Sequence, residues 1–148
     1  MPLKIGQKAP NFTLPSTSGK DFNLEKDCKG KSCIIYFYPK DFTKVCTAEA
    51  CDFRDQFSAF RDLDIPVLGI SRDSIPTHLR FKKENKLPFE LLSDAKGNVC
   101  KAYDASIPIL GMPKRVTYFL DKDHKVQGAF SDLFASKKHV DEMLKLLK

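Results

Sequence analysis

Five cysteines stand in the chain, at positions 28, 33, 46, 51 and 100. Two of them fall in a segment whose neighbours suit thiol chemistry: Tyr38-Pro39-Lys40-Asp41-Phe42-Thr43-Lys44-Val45-Cys46-Thr47-Ala48-Glu49-Ala50-Cys51. Cys46 sits where a polar loop gives way to a helical pattern. A helix N-terminus presents unpaired N–H groups and roughly half a positive charge. A thiolate is stabilised there, and the thiolate is the nucleophile. The Thr43 hydroxyl and a nearby cation would add to the effect and hold a polar electrophile in line for attack. Cys51 follows five residues on. In an uninterrupted helix that spacing separates the Cα atoms by about 8.6 Å, whereas a disulfide spans at most ~7 Å. If the two thiols bond during turnover, at least the first helical turn must unwind.

The other cysteines act as controls. Cys28 and Cys33 repeat the spacing, but Lys29-Gly30-Lys31 reads as a turn and Cys33 opens a strand. No threonine precedes them at the matching offset and no helix start follows. They read as structural or incidental thiols, and Cys100, beside Val99 and Tyr103 in a short helix, as a buried one. An odd number of cysteines in 148 residues favours redox or catalytic thiols over a disulfide framework. His78, His124 and His139 are widely spaced and make no zinc pattern with the cysteines. They read as structural, solvent-facing residues.

Hydrophobic spacing locates the elements that must carry these residues. Asn11–Leu14 and Asp21–Leu24, around a Pro/Ser/Gly turn, predict an N-terminal hairpin. Cys33–Tyr38 is apolar at alternate and intervening positions, so it predicts a central buried strand that Pro39 ends. Ala50, Phe53, Phe57 and Phe60 predict a helix over Thr47–Asp62. Pro66–Ser71 predicts a second core strand. Ser74, with Pro76 two residues on, predicts the start of a helix running towards Asn85. Phe89–Leu92 follows as a short strand and Asn98–Tyr103 as a short helix. Arg115–Leu120 and Lys125–Phe130 predict a hairpin, and Val140, Met143, Leu144 and Leu147 an amphipathic final helix. Strands alternating with helices, then a hairpin and a helix, imply a single α/β domain over residues 1–148. Its expected architecture is a three-layer sandwich around a central mixed sheet with helices on both faces, compatible with a thioredoxin-like fold.

Composition narrows the function classes. With 42% hydrophobic and 30% charged residues, the chain is ordinary for a globular domain. No apolar run approaches the ~20 residues needed to span a bilayer. The first residues lack the apolar core of a secretory signal, so a cytoplasmic address is expected. The formal charge of +6 comes from lysines scattered among acidic residues, which matches no basic nucleic-acid module.

The run from Phe37 to Asp55 resembles the active-site signature of the peroxiredoxins, and most closely their bacterioferritin-comigratory-protein, or Q-type, branch. The likeness extends through Gly6–Leu14, Gly69–Asp73, Leu91–Asp94 and Arg115–Asp121, nearly the whole chain. The resemblance implies that Cys46 is the peroxidatic cysteine and becomes a sulfenic acid. It implies that Thr43 bonds thiolate and peroxide and that Pro39 shields the pocket. Arg115 would supply the activating cation, with Glu49 orienting it. Cys51 would be the resolving cysteine of an intramolecular disulfide. Hydrogen peroxide or organic hydroperoxides would be substrates, with thioredoxin or a similar dithiol protein as reductant and no metal or organic cofactor. The branch also implies a monomer, with a dimer as the alternative.

Two positions depart from the pattern. Lys44-Val45 stands where the branch usually has Pro-Gly, and valine does not take positive φ cheaply. Phe42 stands where asparagine is common, giving an apolar pocket rim that would favour organic peroxides. Two rival classes remain to be weighed. A thiol–disulfide oxidoreductase of the same fold would carry Cys-x-x-Cys at the helix start, which this chain lacks. A metal-binding or nucleic-acid-binding protein fits neither the cysteine spacing nor the dispersed charge.

Overall fold

The computed structural model describes residues 3–55, 61–62, 64–107 and 111–131; of Glu49, Phe130 and Ser131 it gives the backbone alone. The chain enters through a hairpin of β1 (Thr13–Pro15) and β2 (Asp21–Asn23), which pair antiparallel. Leu24 does not extend β2. It opens a single turn, α1 (Leu24–Asp27), because the Asn23 side chain accepts from the Lys26 N–H at 2.9 Å and caps it. Next comes β3 (Cys33–Phe37), then α2 (Lys44–Asp55), β4 (Val67–Ser71) and α3 (Ile75–Glu84). α3 is capped by Ser74, as its sequence predicts. β5 (Glu90–Ser93), α4 (Asn98–Ala102), β6 (Val116–Leu120) and β7 (Val126–Ser131) complete the described elements. The predicted final helix lies outside the described residues, as do Phe57, Phe60 and His139. Among the described residues no helix is long and apolar enough to cross a membrane.

The large sheet runs β5-β4-β3-β6-β7, with β3, β4 and β5 parallel and β6 and β7 antiparallel to their neighbours. Strand alternation divides β3 between two cores. Cys33, Ile35 and Phe37 pack with the N-terminal hairpin, α1 and the Val99–Tyr103 region. Ile34 and Tyr36, followed by Tyr38, pack on the opposite side with Cys46, Ala50 and Phe53 of α2 and Phe81 of α3. The expected thioredoxin-like three-layer sandwich is therefore what the chain forms.

The second core fixes where α2 lies. The Tyr36 ring stacks on Phe53 at 4.7 Å and on Tyr38 at 5.4 Å. It can do so because Gly69 on the adjacent strand has no side chain. A Cβ there would stand 2.7 Å from Tyr36 Cζ and 2.9 Å from Leu91 Cδ2. Gly69→Ala is expected to destabilise the protein by about 1–3 kcal/mol through overpacking. Urea unfolding checks this, and a midpoint unchanged from the parent would remove Gly69 from the account of how α2 is seated.

Candidate active site

The loop from Pro39 to Thr43 leaves the carboxyl end of β3, which has the parallel strand β4 on one side and the antiparallel β6 on the other. The next helix starts earlier than its apolar spacing indicates. The Thr43 carbonyl accepts from the Thr47 N–H at 2.9 Å, making Thr43 the last residue before α2. Lys44 is exposed and Val45 half-buried, so this first turn gives no apolar signal. Neither residue has positive φ; the left-handed residue is Phe42, at φ 66°. That conformation costs a bulky residue roughly 1–2 kcal/mol. The Phe42 ring is 46% exposed and meets Phe81 edge-on at 5.1 Å.

Cys46 lies in the first turn of α2 and is 1% exposed. Arg115 Nη2 donates to its Sγ at 2.9 Å, across 69 residues of sequence. The sheet makes this contact: Phe37 pairs with Val116, so Arg115 arrives beside the exit of β3. Arg115 is itself buried, at 2% exposure. A guanidinium has donors only, so the sulfur accepts, and a thiolate accepts better than a thiol. Thr43 is exposed, and its hydroxyl donates to the Lys40 carbonyl at 2.9 Å. Pro39 is half-buried beside them. The Glu49 backbone lies in α2, while its side chain, expected to orient Arg115, is outside the described residues.

Cys51 is half-buried in the same helix, its Sγ 3.7 Å from Asn85 Oδ1 at the end of α3. All five cysteines are free thiols, and α2 is continuous through both Cys46 and Cys51. The remaining thiols are buried on the other side of the sheet. Burial and then the Asp94 carboxylate push Cys100 up to about 11. Contact with Cys28, and then burial, raise Cys33 well above a free thiol. Both therefore stay protonated at neutral pH, in keeping with a structural role.

Two histidines differ from their sequence reading. His124 is buried, with Nε2 at 2.7 Å from the Cys28 carbonyl. His78 is fully buried behind the active-site loop, with Nδ1 at 2.6 Å from Asp41 Oδ2 and Nε2 at 3.0 Å from the Leu92 carbonyl. Asp41 Oδ1 accepts from the Tyr38 hydroxyl at 2.6 Å. The Tyr38 hydroxyl is held protonated, first by burial and then by the charges of Tyr36 and Asp41. The signal for His78 was present in the spacing: it precedes Phe81 by three residues, and both lie on the buried face of α3. Asp41, Asp73 and His78 could in principle offer ligand atoms to a metal ion. The contacts among these side chains and Ser71 already occupy those atoms.

The sequence profile of the AhpC/TSA family matches residues 5–129. The chain belongs to that family. Chloroplastic peroxiredoxin Q of Oryza sativa subsp. japonica is 43% identical over 144 residues, 97% of this chain and 66% of the rice protein. This member of the AhpC/TSA family thus spans about two-thirds of that relative's length. The crystal structure of peroxidoxin BcpB from Mycobacterium tuberculosis superimposes with a TM-score of 0.91 at 33% identity, covering 98% of this chain and 96% of that one. A Xanthomonas campestris bacterioferritin comigratory protein, whose structures concern alkyl peroxide reduction, superimposes with a TM-score of 0.84 at 27% identity, covering 97% and 99%.

Proposed function

We propose that the chain is a thiol peroxidase that reduces hydrogen peroxide and organic hydroperoxides through Cys46. The contact that carries this reading is Arg115 Nη2 on Cys46 Sγ at 2.9 Å, at the start of a helix. The Cys46 thiolate attacks one peroxide oxygen; an S–O bond forms as the O–O bond breaks. The departing oxygen takes the electron pair and a proton, leaving as water or an alcohol, and Cys46 becomes a sulfenic acid. Arg115 and the first-turn N–H groups are placed to stabilise charge as it moves from sulfur to oxygen. The Thr43 hydroxyl spends its hydrogen on Lys40, so its oxygen is an acceptor for the O–H of an incoming peroxide. The exposed Phe42 ring offers an apolar rim to an alkyl group.

Cys51 then attacks the sulfenic sulfur, expelling water and closing a Cys46–Cys51 disulfide. The intact helix holds their Cα atoms about 8.6 Å apart, beyond the ~7 Å reach of a disulfide, so α2 must open locally first. A dithiol protein such as thioredoxin restores both thiols by exchange. Free thiols throughout the chain suit a reducing compartment such as the cytoplasm.

The test is to mix reduced protein with one equivalent of hydrogen peroxide, quench with an alkylating agent and map the thiols by mass spectrometry. The expected product joins Cys46 to Cys51 and leaves Cys28, Cys33 and Cys100 alkylatable after unfolding. A Cys46 still reduced under these conditions would sink the reading.

A further inference from the structure

We infer that Asp41 and His78 form a proton-sharing strut that positions the Pro39–Thr43 loop for peroxide; the inference rests on Cys46 being the attacking residue. The contacts fix how many protons the pair holds. His78 Nε2 faces the Leu92 carbonyl at 3.0 Å. A carbonyl only accepts, so Nε2 carries a hydrogen. Nδ1 faces Asp41 Oδ2 at 2.6 Å. Two lone pairs cannot make that contact, so one further proton lies between them, whichever atom it sits on. Tyr38 donates to the other carboxyl oxygen. Both side chains are wholly shielded from solvent. An imidazolium–carboxylate pair and an imidazole–carboxylic acid pair are alike neutral overall, which suits a site where a lone charge would be costly.

This neutral pair is fastened on several sides. The Asp41 N–H donates to Asp73 Oδ2 at 2.8 Å, and the Ser71 hydroxyl donates to the same oxygen at 2.6 Å. The Ser93 hydroxyl donates to the Asp73 carbonyl at 2.7 Å. Asp41 is thereby tied to the exit of β3, to α3 and to the segment after β4. The next residue is Phe42, in a left-handed conformation that phenylalanine does not choose unaided. After it comes Thr43, whose carbonyl begins α2. The strut is what holds Phe42 there. Arg115 reaches Cys46 from the position just before β6, where the β3–β6 pairing and not the strut sets its place. Losing the strut would therefore displace the Thr43 hydroxyl from the peroxide's path and leave the Arg115–sulfur contact. Asp41 and His78 are positioning residues for peroxide, not activators of the thiol.

The discriminating quantity is the ratio of two rate constants for Cys46, oxidation by hydrogen peroxide and alkylation by iodoacetamide. Asp41→Ala is expected to lower the peroxide rate about a hundredfold while the alkylation rate stays close to the parent's. Asp41→Asn restores every contact: its amide N–H donates to His78 Nδ1 and its oxygen accepts from Tyr38. It is expected to recover the peroxide rate to within about fivefold. An unchanged ratio in Asp41→Ala, with the fold intact by circular dichroism, overturns the positioning role. An Asp41→Asn rate as low as that of Asp41→Ala overturns the shared proton. The parent protein labelled with 15N-histidine needs no variant: a low-field proton bridging Nδ1 and Oδ2 is expected, and its absence also overturns the strut. A parent Cys46 that alkylates but ignores peroxide would defeat the peroxidase reading instead, and the bridging proton would still decide whether the strut exists.

Discussion

Cys46→Ser is expected to reduce hydrogen peroxide at less than about a thousandth of the parent rate, because the serine hydroxyl is protonated and a poor nucleophile. Cys51→Ser is expected to consume about one equivalent and stop, leaving a Cys46 sulfenic acid that a dimedone-type reagent traps. The two outcomes follow from different parts of the geometry. Cys46 alone combines a first-turn position on α2 with a guanidinium N–H on its sulfur. Cys28, Cys33 and Cys100 lie in the opposite core, where the latter two are held as thiols. They are poorly placed to replace Cys46. Cys51 is the half-buried thiol on the same helix and is packed by Asn85 rather than by Cys46. In the proposed cycle its contribution comes only after α2 opens, so it bears on completion of the cycle and not on the first oxidation. Peroxide consumption followed by stopped-flow, with the trapped species identified by mass, separates the steps. Steady turnover by Cys51→Ser with a dithiol reductant would assign resolution to another group. Parent-like turnover by Cys46→Ser would move the nucleophile elsewhere.

The sheet and its connections were legible because β3, β4 and β6 are short apolar runs bounded by proline, glycine and charged residues. Ser74 announced α3 through its cap, and the structure places the start where the cap requires. The apolar spacing places the start of α2 three residues late, because Lys44 is exposed and Val45 only half-buried, and the one fully buried residue of that turn, Cys46, does not make a helical period by itself. Leu24 was read as strand because an apolar residue after a strand gives no sign that the preceding asparagine will cap a turn. At the site, Cys46, Thr43 and Pro39 are neighbours along the chain and could be read together. Arg115 came only through family resemblance, since its place beside Cys46 depends on the β3–β6 register. Asp41 and His78 were missed for a related reason. Buried polar groups are recognisable by their partners, and these partners lie on different elements. A histidine three residues before a core phenylalanine on a capped helix is the pattern that would have revealed the burial.

Arg115→Met is expected to slow the reaction of Cys46 with hydrogen peroxide by about a hundredfold to a thousandfold, the loss typical of removing one preorganised donor from developing charge. Methionine keeps an unbranched side chain in a buried position and removes the guanidinium, so packing is disturbed less than by alanine. Two effects combine in the loss. The sulfur loses the charged donor that makes it a good acceptor, and the oxygen leaving the peroxide loses a cation near the breaking bond. Arg115→Lys is expected to recover little of this. An ammonium is a compact point charge on a shorter reach, and it lacks the rigid fork that lets one donor hold sulfur while others serve the peroxide. Because the contact ties the segment entering β6 to α2, the substitution also removes a cross-link between them, and some loss of stability will accompany it. Rate constants measured well below the unfolding midpoint separate the contributions: a structural role lowers the midpoint and spares the rate of the folded fraction. A catalytic role slows both peroxide oxidation and iodoacetamide alkylation of Cys46, because the guanidinium acts on the sulfur itself. That common slowing distinguishes Arg115 from Asp41, where only the peroxide rate is expected to fall.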